Sequence, residues 1–569
     1  MPSRFRISLL SAFAVVILLA SCSKSNKQGR YIPKDAAIVL HINGESLSAK
    51  LPWDEIKGNA VFQQMYADST MPAFAKKVLD NPENIGINTK SDLVFFGLKD
   101  SLGAYIAFAG NIKDAEKFRL FNIDLTEGGS ETKDGDNSFI SKAPMCVGWN
   151  KERFVYIVNT PDLNPELRMK RYSDEGDNAS STSPRDVGAT CKSIFALKES
   201  NSLGSDDKFS TLVKKEGDVH FWMNAEQVQM NPGGMMGGIG NMQKLYAGSY
   251  TTATANFENG KVTIDAKSYA GKELRNIYKK YTGNKINEEM IKRLPSKDVA
   301  AVFAVNFKPQ GIIEVLKVMG MEAMANIGLA MMGISMDDIV KATKGDFVVA
   351  ISDFKPVTDS VTTWVDGKIT RQSRTKTEPE VIFATSIGDK DAFNRLLKAG
   401  EKASKNRMGD NVNYNSNEKY FAAGSSRENV DKYLAGSSDN KYDFLSKING
   451  GPIGGYVNIQ FILKAMEADI KADSDSAKAV IYDASLKLWS DAYVTGGNYS
   501  DGGVEQHFEI NLMDKSTNSL KQLNQYFGKV AQIMEERKKH YGMVDIDSIS
   551  VRPSVVEPTV QDAPVKKQR

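Results

Sequence analysis

Four histidines and three cysteines are the residues best suited to acid–base, nucleophilic or metal chemistry. His41, His220, His507 and His540 are dispersed, and none has a second His or a Cys at metal-ligand spacing. Neither His-Glu-x-x-His nor Cys-x-x-Cys occurs. His41, His220 and His507 stand in strand-like alternations and read as structural. Gly-x-Ser-x-Gly, the turn that exposes a hydrolase serine, is absent. Ser205-Asp206-Asp207-Lys208 has the Ser-x-x-Lys form of penicillin-recognising enzymes, and Ser438-Asp439-Asn440 has their second element; no Lys-Thr-Gly completes the set. The run Gly233 to Gly240 follows Met230-Asn231-Pro232 and lacks the Lys-Ser or Lys-Thr of a phosphate loop, so it reads as an apolar loop. Carboxylates are plentiful, but a catalytic pair meets in space and leaves no mark in spacing. The expectation is a non-enzyme without metal or cofactor. A hydrolase with a dispersed carboxylate site is the catalytic alternative.

One cysteine has a clear chemical context. Arg4 and Arg6 precede an apolar run from Ile7 to Ala20, and Leu19-Ala20-Ser21-Cys22 matches the bacterial lipobox. The run is too short to span a bilayer, which takes roughly 17–25 residues. Residues 1–21 therefore read as a signal peptide. Similarity to the bacterial lipoprotein pathway implies lipidation, palmitate included, at Cys22. Several acyl chains anchor stably where one does not. Residues 22–30 are polar and read as a tether. Ser23 after the anchor implies the outer membrane, and the basic Lys24 and Lys27 favour its periplasmic leaflet. Cys146 and Cys191 remain in an oxidising compartment, where they form either a disulfide or two buried thiols.

The elements that would position any site echo each other. Ile32-Pro33-Lys34-Asp35 leads into Ile38 to Asn43, and Leu294-Pro295-Ser296-Lys297-Asp298 leads into Val299 to Asn306. Asp92 to Phe96 answers Asp346 to Ala350. Tyr105 to Phe108 answers Val381 to Ala384, and Asp218 to Asn224 answers Gly455 to Asn458. Asn259-Gly260 and Asp501-Gly502 mark a late hairpin in each part. Matched order over a long period signals duplication. Asn43, Asn224, Asn306 and Asn458 each end a strand and read as helix caps. The expected fold is α+β: two similar halves, 31–285 and 286–541, each an antiparallel sheet covered by helices on one face. Leu520, Leu523, Phe527, Val530 and Met534 form the stripe of a closing helix. Asp359 to Lys376 suits a protruding hairpin, Arg171 to Arg185 a surface loop, and 542–569 a disordered tail.

The chain has 569 residues, 41% apolar and 25% charged, enough for two or three domains. Lys and Arg number 73 against 70 Asp and Glu, a net charge of +3 without a long basic run, so no nucleic-acid partner is indicated.

From Gly311 to Met336 the chain is apolar and carries Met319, Met321, Met324, Met331, Met332 and Met336. Methionine suits surfaces that accept varied apolar partners. Two readings stand: a surface for a lipid or partner, or a helix pair buried under a sheet.

With its lipobox, its Ile32-Pro33-Lys34-Asp35-Ala36 opening and its strand–Asn pattern, the chain resembles Bacteroidota lipoproteins carrying a domain of unknown function (DUF4836-like). That resemblance implies an envelope location and supplies no activity or site residue. It also implies glycosylation of Asp-Ser/Thr-apolar triplets, of which Ser360 and Ser548 are the better candidates. The leading expectation is a lipid-anchored envelope protein with a binding or scaffold role, held to the membrane through Cys22. It would engage an envelope protein partner or an apolar ligand. A carrier or sensor of lipid or acyl chains is the alternative.

Overall fold

The computed structural model describes residues 28–67, 71, 73–100, 103–160, 185–229, 241–365, 368–404, 412–436, 440–472 and 475–541. The lipobox with Cys22, the glycine-rich loop with Met235 and Met236, nearly all of the 171–185 segment and the tail after Tyr541 lie outside them.

Among the described residues, one antiparallel sheet contains eighteen strands. They are β1 (Ile38–Ile42), β2 (Leu93–Asp100), β3 (Gly103–Asn111), β4 (Glu131–Asp134), β5 (Asn137–Lys142), β6 (Met145–Trp149), β7 (Arg153–Asn159), β8 (Val219–Asn224), β9 (Tyr250–Glu258), β10 (Lys261–Tyr269), β11 (Val299–Asn306), β12 (Thr343–Val365), β13 (Lys368–Ile387), β14 (Asn413–Ser416), β15 (Tyr420–Gly424), β16 (Ile453–Val457), β17 (Trp489–Ser500) and β18 (Gly503–Leu512). Their order in space is β4-β5-β6-β7-β3-β2-β1-β8-β9-β10-β18-β17-β16-β11-β12-β13-β15-β14.

Asn-Gly and Asp-Gly behave as their chemistry requires. Glu258 faces Lys261 across Asn259-Gly260, and Ser500 faces Gly503 across Asp501-Gly502. Asp501 and Gly502 both have positive φ, at 45° and 80°, the signature of a type I′ turn that matches strand twist. Between them β10 and β18 pair from Lys261–Asn511 to Tyr269–Gly503. The expected hairpin around Asp366-Gly367 is a long ribbon in which β12 and β13 stay paired out to Val365–Lys368.

Around β1 to β3 helices cover both faces of the sheet, which corrects the expectation of one. In β2, Leu93-Val94-Phe95-Phe96 packs to both sides, as the unbroken apolar run of a strand covered on both faces should. On the first face Leu93, Phe108 and Phe154 meet Leu47, Leu51, Ile56, Phe62 and Phe118 from helices between Gly44 and Leu125. On the second face Val39, Phe96 and Val155 meet Ile32, Cys191 and Phe209. Farther along that second face, Val302, Ala304, Val348 and Ala350 pack under Met290, Ile291, Val430, Tyr433 and Ile448.

Three of the four strand-ending asparagines cap as expected. Asn43 Oδ1 accepts from Ser46 N, Asn458 Oδ1 from Phe461 N, and Asn224 Oδ1 from Glu226 N and Gln227 N. Asn306 does not cap. Its Oδ1 accepts from Asn284 N, and its Nδ2 donates to Asp346 Oδ1 at 2.6 Å, tying β11 to β12. The closing helix, Ser519–Tyr541, buries a different stripe from the one expected. Leu520 packs into the first core and Ile533 is buried, whereas Phe527 and Met534 are exposed, because the helix packs on β9 and on helices Ala60–Ala67 and Ser476–Leu488 with a face rotated from the expected one.

Candidate functional site

Along β11, Ala300, Val302 and Ala304 are buried on the second face, so Ala301, Phe303 and Val305 must point to the first. Near β1 the first face is packed by helices, but around β11 it is open. Phe303 is 49% exposed and its cross-strand neighbour Val349 is 39% exposed. They join Ile351, Val457, Val494 and Phe508 in a groove of about 480 Å³. Gly455 faces Phe303 across the β11–β16 pair, and a Cβ there would lie 2.9 Å from Val494 Cγ1. A bare backbone at that point leaves room for the Phe303 ring on the floor. The groove crosses six neighbouring strands, β10 to β12 in spatial order, or roughly 24 Å at ~4.8 Å per strand.

Glu509 alternates with the groove-facing Phe508 and Ile510 on β18, so its carboxylate points to the opposite face of the sheet, where it is committed to protein partners. Glu509 accepts from Lys261 Nζ at 2.9 Å and Asn511 Nδ2 at 3.0 Å. Burial pushes its carboxyl up, but Lys261, Asn511 and Tyr493 outweigh this and hold it below the usual carboxylate range. Burial, with Glu509 alongside, pushes the Tyr493 hydroxyl up to about 12, so the tyrosine stays neutral. The groove can hold hydrocarbon. It offers no nucleophile and no free acid–base pair.

The methionine segment is a second apolar surface. Helices Gln310–Val318, Glu322–Met331 and Met336–Ala342 form an arm that leaves β11 after Asn306 and returns into β12 at Thr343. No residue of the middle helix is buried, so the segment is not a core helix pair. Met324, Ile327, Met331 and Met332 are exposed, Met319 and Met321 are half-buried, and Met336 is buried at the root. Among the described residues no single helix is long and apolar enough to cross a membrane; the last two arm helices pass that test only as a pair bent by 82°.

Other sequence candidates fall elsewhere. Cys146 on β6 and Cys191 on helix Val187–Phe195 are buried free thiols that contact each other. The Cys146 thiol and burial push Cys191 up, and Cys191 in turn lowers Cys146. Sequence spacing missed one pair, because His41 and His220 lie 179 residues apart yet meet Nδ1 to Nδ1 at 3.0 Å across β1 and β8. His507 bonds Asp265 at 2.7 Å where β10 meets β18, lining a polar cleft of about 300 Å³ with Lys215 and Lys267. Ser205 Oγ donates to Ser202 O and Lys208 lies over Tyr269, so that Ser-x-x-Lys run is structural. Among the described residues no cluster of three His, Cys, Asp or Glu could hold a metal ion.

The family model described as "Domain of unknown function (DUF4836)" matches residues 29–365. The chain belongs to the DUF4836 family. No curated protein matches this DUF4836 chain. A solved structure titled "Structure of crystal form I of TP0453" is similar over 44% of this chain and 81% of that one, at 10% identity and a TM-score of 0.23. At that score the likeness carries no argument about the DUF4836 chain.

Proposed function

We propose that this protein is a lipid-anchored, non-enzymatic binding protein of the bacterial envelope whose open sheet face takes an acyl chain. One observation carries the reading: Phe303 and Val349 stand exposed on an apolar floor, whereas Leu93, Phe108 and Phe154 on the same face lie under helices. A monomer gains by covering such a patch, and an exposed one marks a binding surface. Acyl chain is the occupant that fits. The groove is about 24 Å long, and a chain spanning half of a ~30 Å hydrocarbon core needs about 15 Å. The groove-facing side chains Phe303, Val349, Ile351, Val457, Val494 and Phe508 bring no charge, and Glu509 pairs with Lys261 on the opposite face. Anchoring through Cys22, release of residues 1–21 and an outer-membrane, periplasm-facing location rest on the lipobox and its flanks.

Duplication is part of the proposal. Reading outward from the β10–β18 pair, one side runs β10-β9-β8-β1-β2-β3-β7-β6 and the other β18-β17-β16-β11-β12-β13-β15-β14. Each strand on one side has its counterpart at the same place on the other, and β4–β5 is an addition to the first. On this reading the first unit covers its sheet face with helices, and the second leaves the equivalent face open for ligand.

Displacement of a fluorescent fatty acid tests the reading. Val349→Glu puts a charge on the floor at an already exposed position, so the fold should survive while affinity falls at least tenfold. Equal affinity in the folded variant would remove the groove as the site.

A further inference from the structure

We infer that the methionine arm is a membrane-contact element that beds its middle helix in the headgroup region of an anionic bilayer. This inference stands apart from the acyl-chain reading, since the arm and the groove are different surfaces.

The middle helix shows one apolar stripe to solvent. Met324, Ile327 and Met331 recur at helical spacing and are 62%, 65% and 81% exposed. No charged residue occurs from Ala323 to Met336. Ten residues make a helix about 15 Å long, half of what a bilayer core requires. That length suits a helix lying about 5–10 Å deep in the interface.

Charge selects the bilayer over a second copy of the chain. Lys280 and Lys317 flank Glu314 at the arm's root, Lys308 Nζ donates to Lys280 O, and Lys244 and Lys272 line a hollow with Val318. Against these five lysines stand Glu273, Glu314 and Glu322, while on the third helix Asp337 is paired with Lys341 and Asp338 with Arg395. A net basic collar around an apolar tip matches anionic headgroups over acyl chains. Two copies meeting tip to tip would bring two basic collars together.

Nitroxide labelling of the full chain carrying Cys22→Ser, which can be neither labelled nor lipidated there, tests this. Cys146 and Cys191 are buried and should resist the label, and the chain without an added cysteine is the blank. Met331→Cys reports the tip. Lys432→Cys reports the helix Arg427–Ala435, which packs on the opposite face of the sheet. On vesicles of phosphatidylglycerol and phosphatidylcholine, the label at position 331 should lose collisions with a water-soluble nickel chelate at least threefold. The label at 432 should not change. The protection should fade on pure phosphatidylcholine, in about 1 M salt where the screening length is ~3 Å, and in Lys280→Gln/Lys317→Gln. A tip that stays exposed to chelate on vesicle-bound protein would overturn the inference. So would protection that arises without vesicles and grows with protein concentration, which would mean self-association. Loss of fatty-acid displacement in Val349→Glu leaves this readout untouched, so the two readings fail separately.

Discussion

Between β1 and β8 the rings of His41 and His220 meet in the core, and their surroundings set the proton positions. His220 Nε2 lies 3.1 Å from the Lys215 carbonyl, which can only accept, so Nε2 carries the hydrogen. Neutral His220 then accepts at Nδ1 from His41 Nδ1, and His41 Nε2 lies 3.6 Å from Asp92 Oδ2. Burial, reinforced by His41, pulls His220 down to about 4. A lowered folded pKa means that the unfolded chain binds more protons between pH 6.5 and 4, so stability must fall as pH falls through that window. The contribution reaches about 3 kcal/mol at the acid end. In His220→Gln, chemical denaturation at pH 7 and pH 4 should show a smaller acid loss than in the parent, by roughly that amount. Identical pH slopes would show that His220 is not held neutral.

At the scale of elements, the arm depends on how its last helix is rooted. Ser335 and Asp338 form a capping box, and Asp338 Oδ1 also accepts from Arg395 Nε and Nη2 at 2.9 and 2.5 Å. Those partners, Arg395 first, hold the carboxyl down at about 2. The anchorage is therefore complete above the usual aspartate range and weakens as pH falls toward 2. Asp338→Asn keeps the shape and removes the charge. Amide hydrogen exchange should quicken several-fold across 334–342 and stay unchanged in β11; unchanged exchange in both would mean that other contacts fix the arm. Much at this scale was legible in the sequence. Period-two alternation gave β1, β8 and β11, Asn-Gly and Asp-Gly gave the two hairpins, and three asparagines cap where their types suggest. The open face was not legible. Phe303 and Val349 have the same alternation as Leu40 and Phe95, which pack against the helix-covered core, and only tertiary structure decides which strand face receives a helix. The methionines marked the arm, but composition alone fits burial and exposure equally well.

The whole molecule is joined at the β10–β18 pair and by the last helix. Asn59 Nδ2 donates to Asn524 O at 2.7 Å, and Lys521 pairs with Glu55 at 2.5 Å, so Ser519–Tyr541 reaches back onto the first part. Residues 31–285 and 286–541 expressed together should co-purify one to one. Separate elution of two folded fragments would show that this junction contributes little. The His pair and the polar cleft at the junction were invisible in the sequence for one reason: their members are brought together by sheet register and not by spacing. Continuity of the sheet gives the central claim its shape, because a single face is closed by helices near β1 and open near β11. A photoactivatable fatty acid, crosslinked to the full chain and mapped by peptide mass spectrometry, tests that claim most directly. The account predicts labels on Ala301–Phe303, Val349–Ile351 and Phe508–Ile510, lost when unlabelled fatty acid competes. Labels confined to the helix-covered β1–β2 region, or spread evenly and insensitive to competitor, would contradict it.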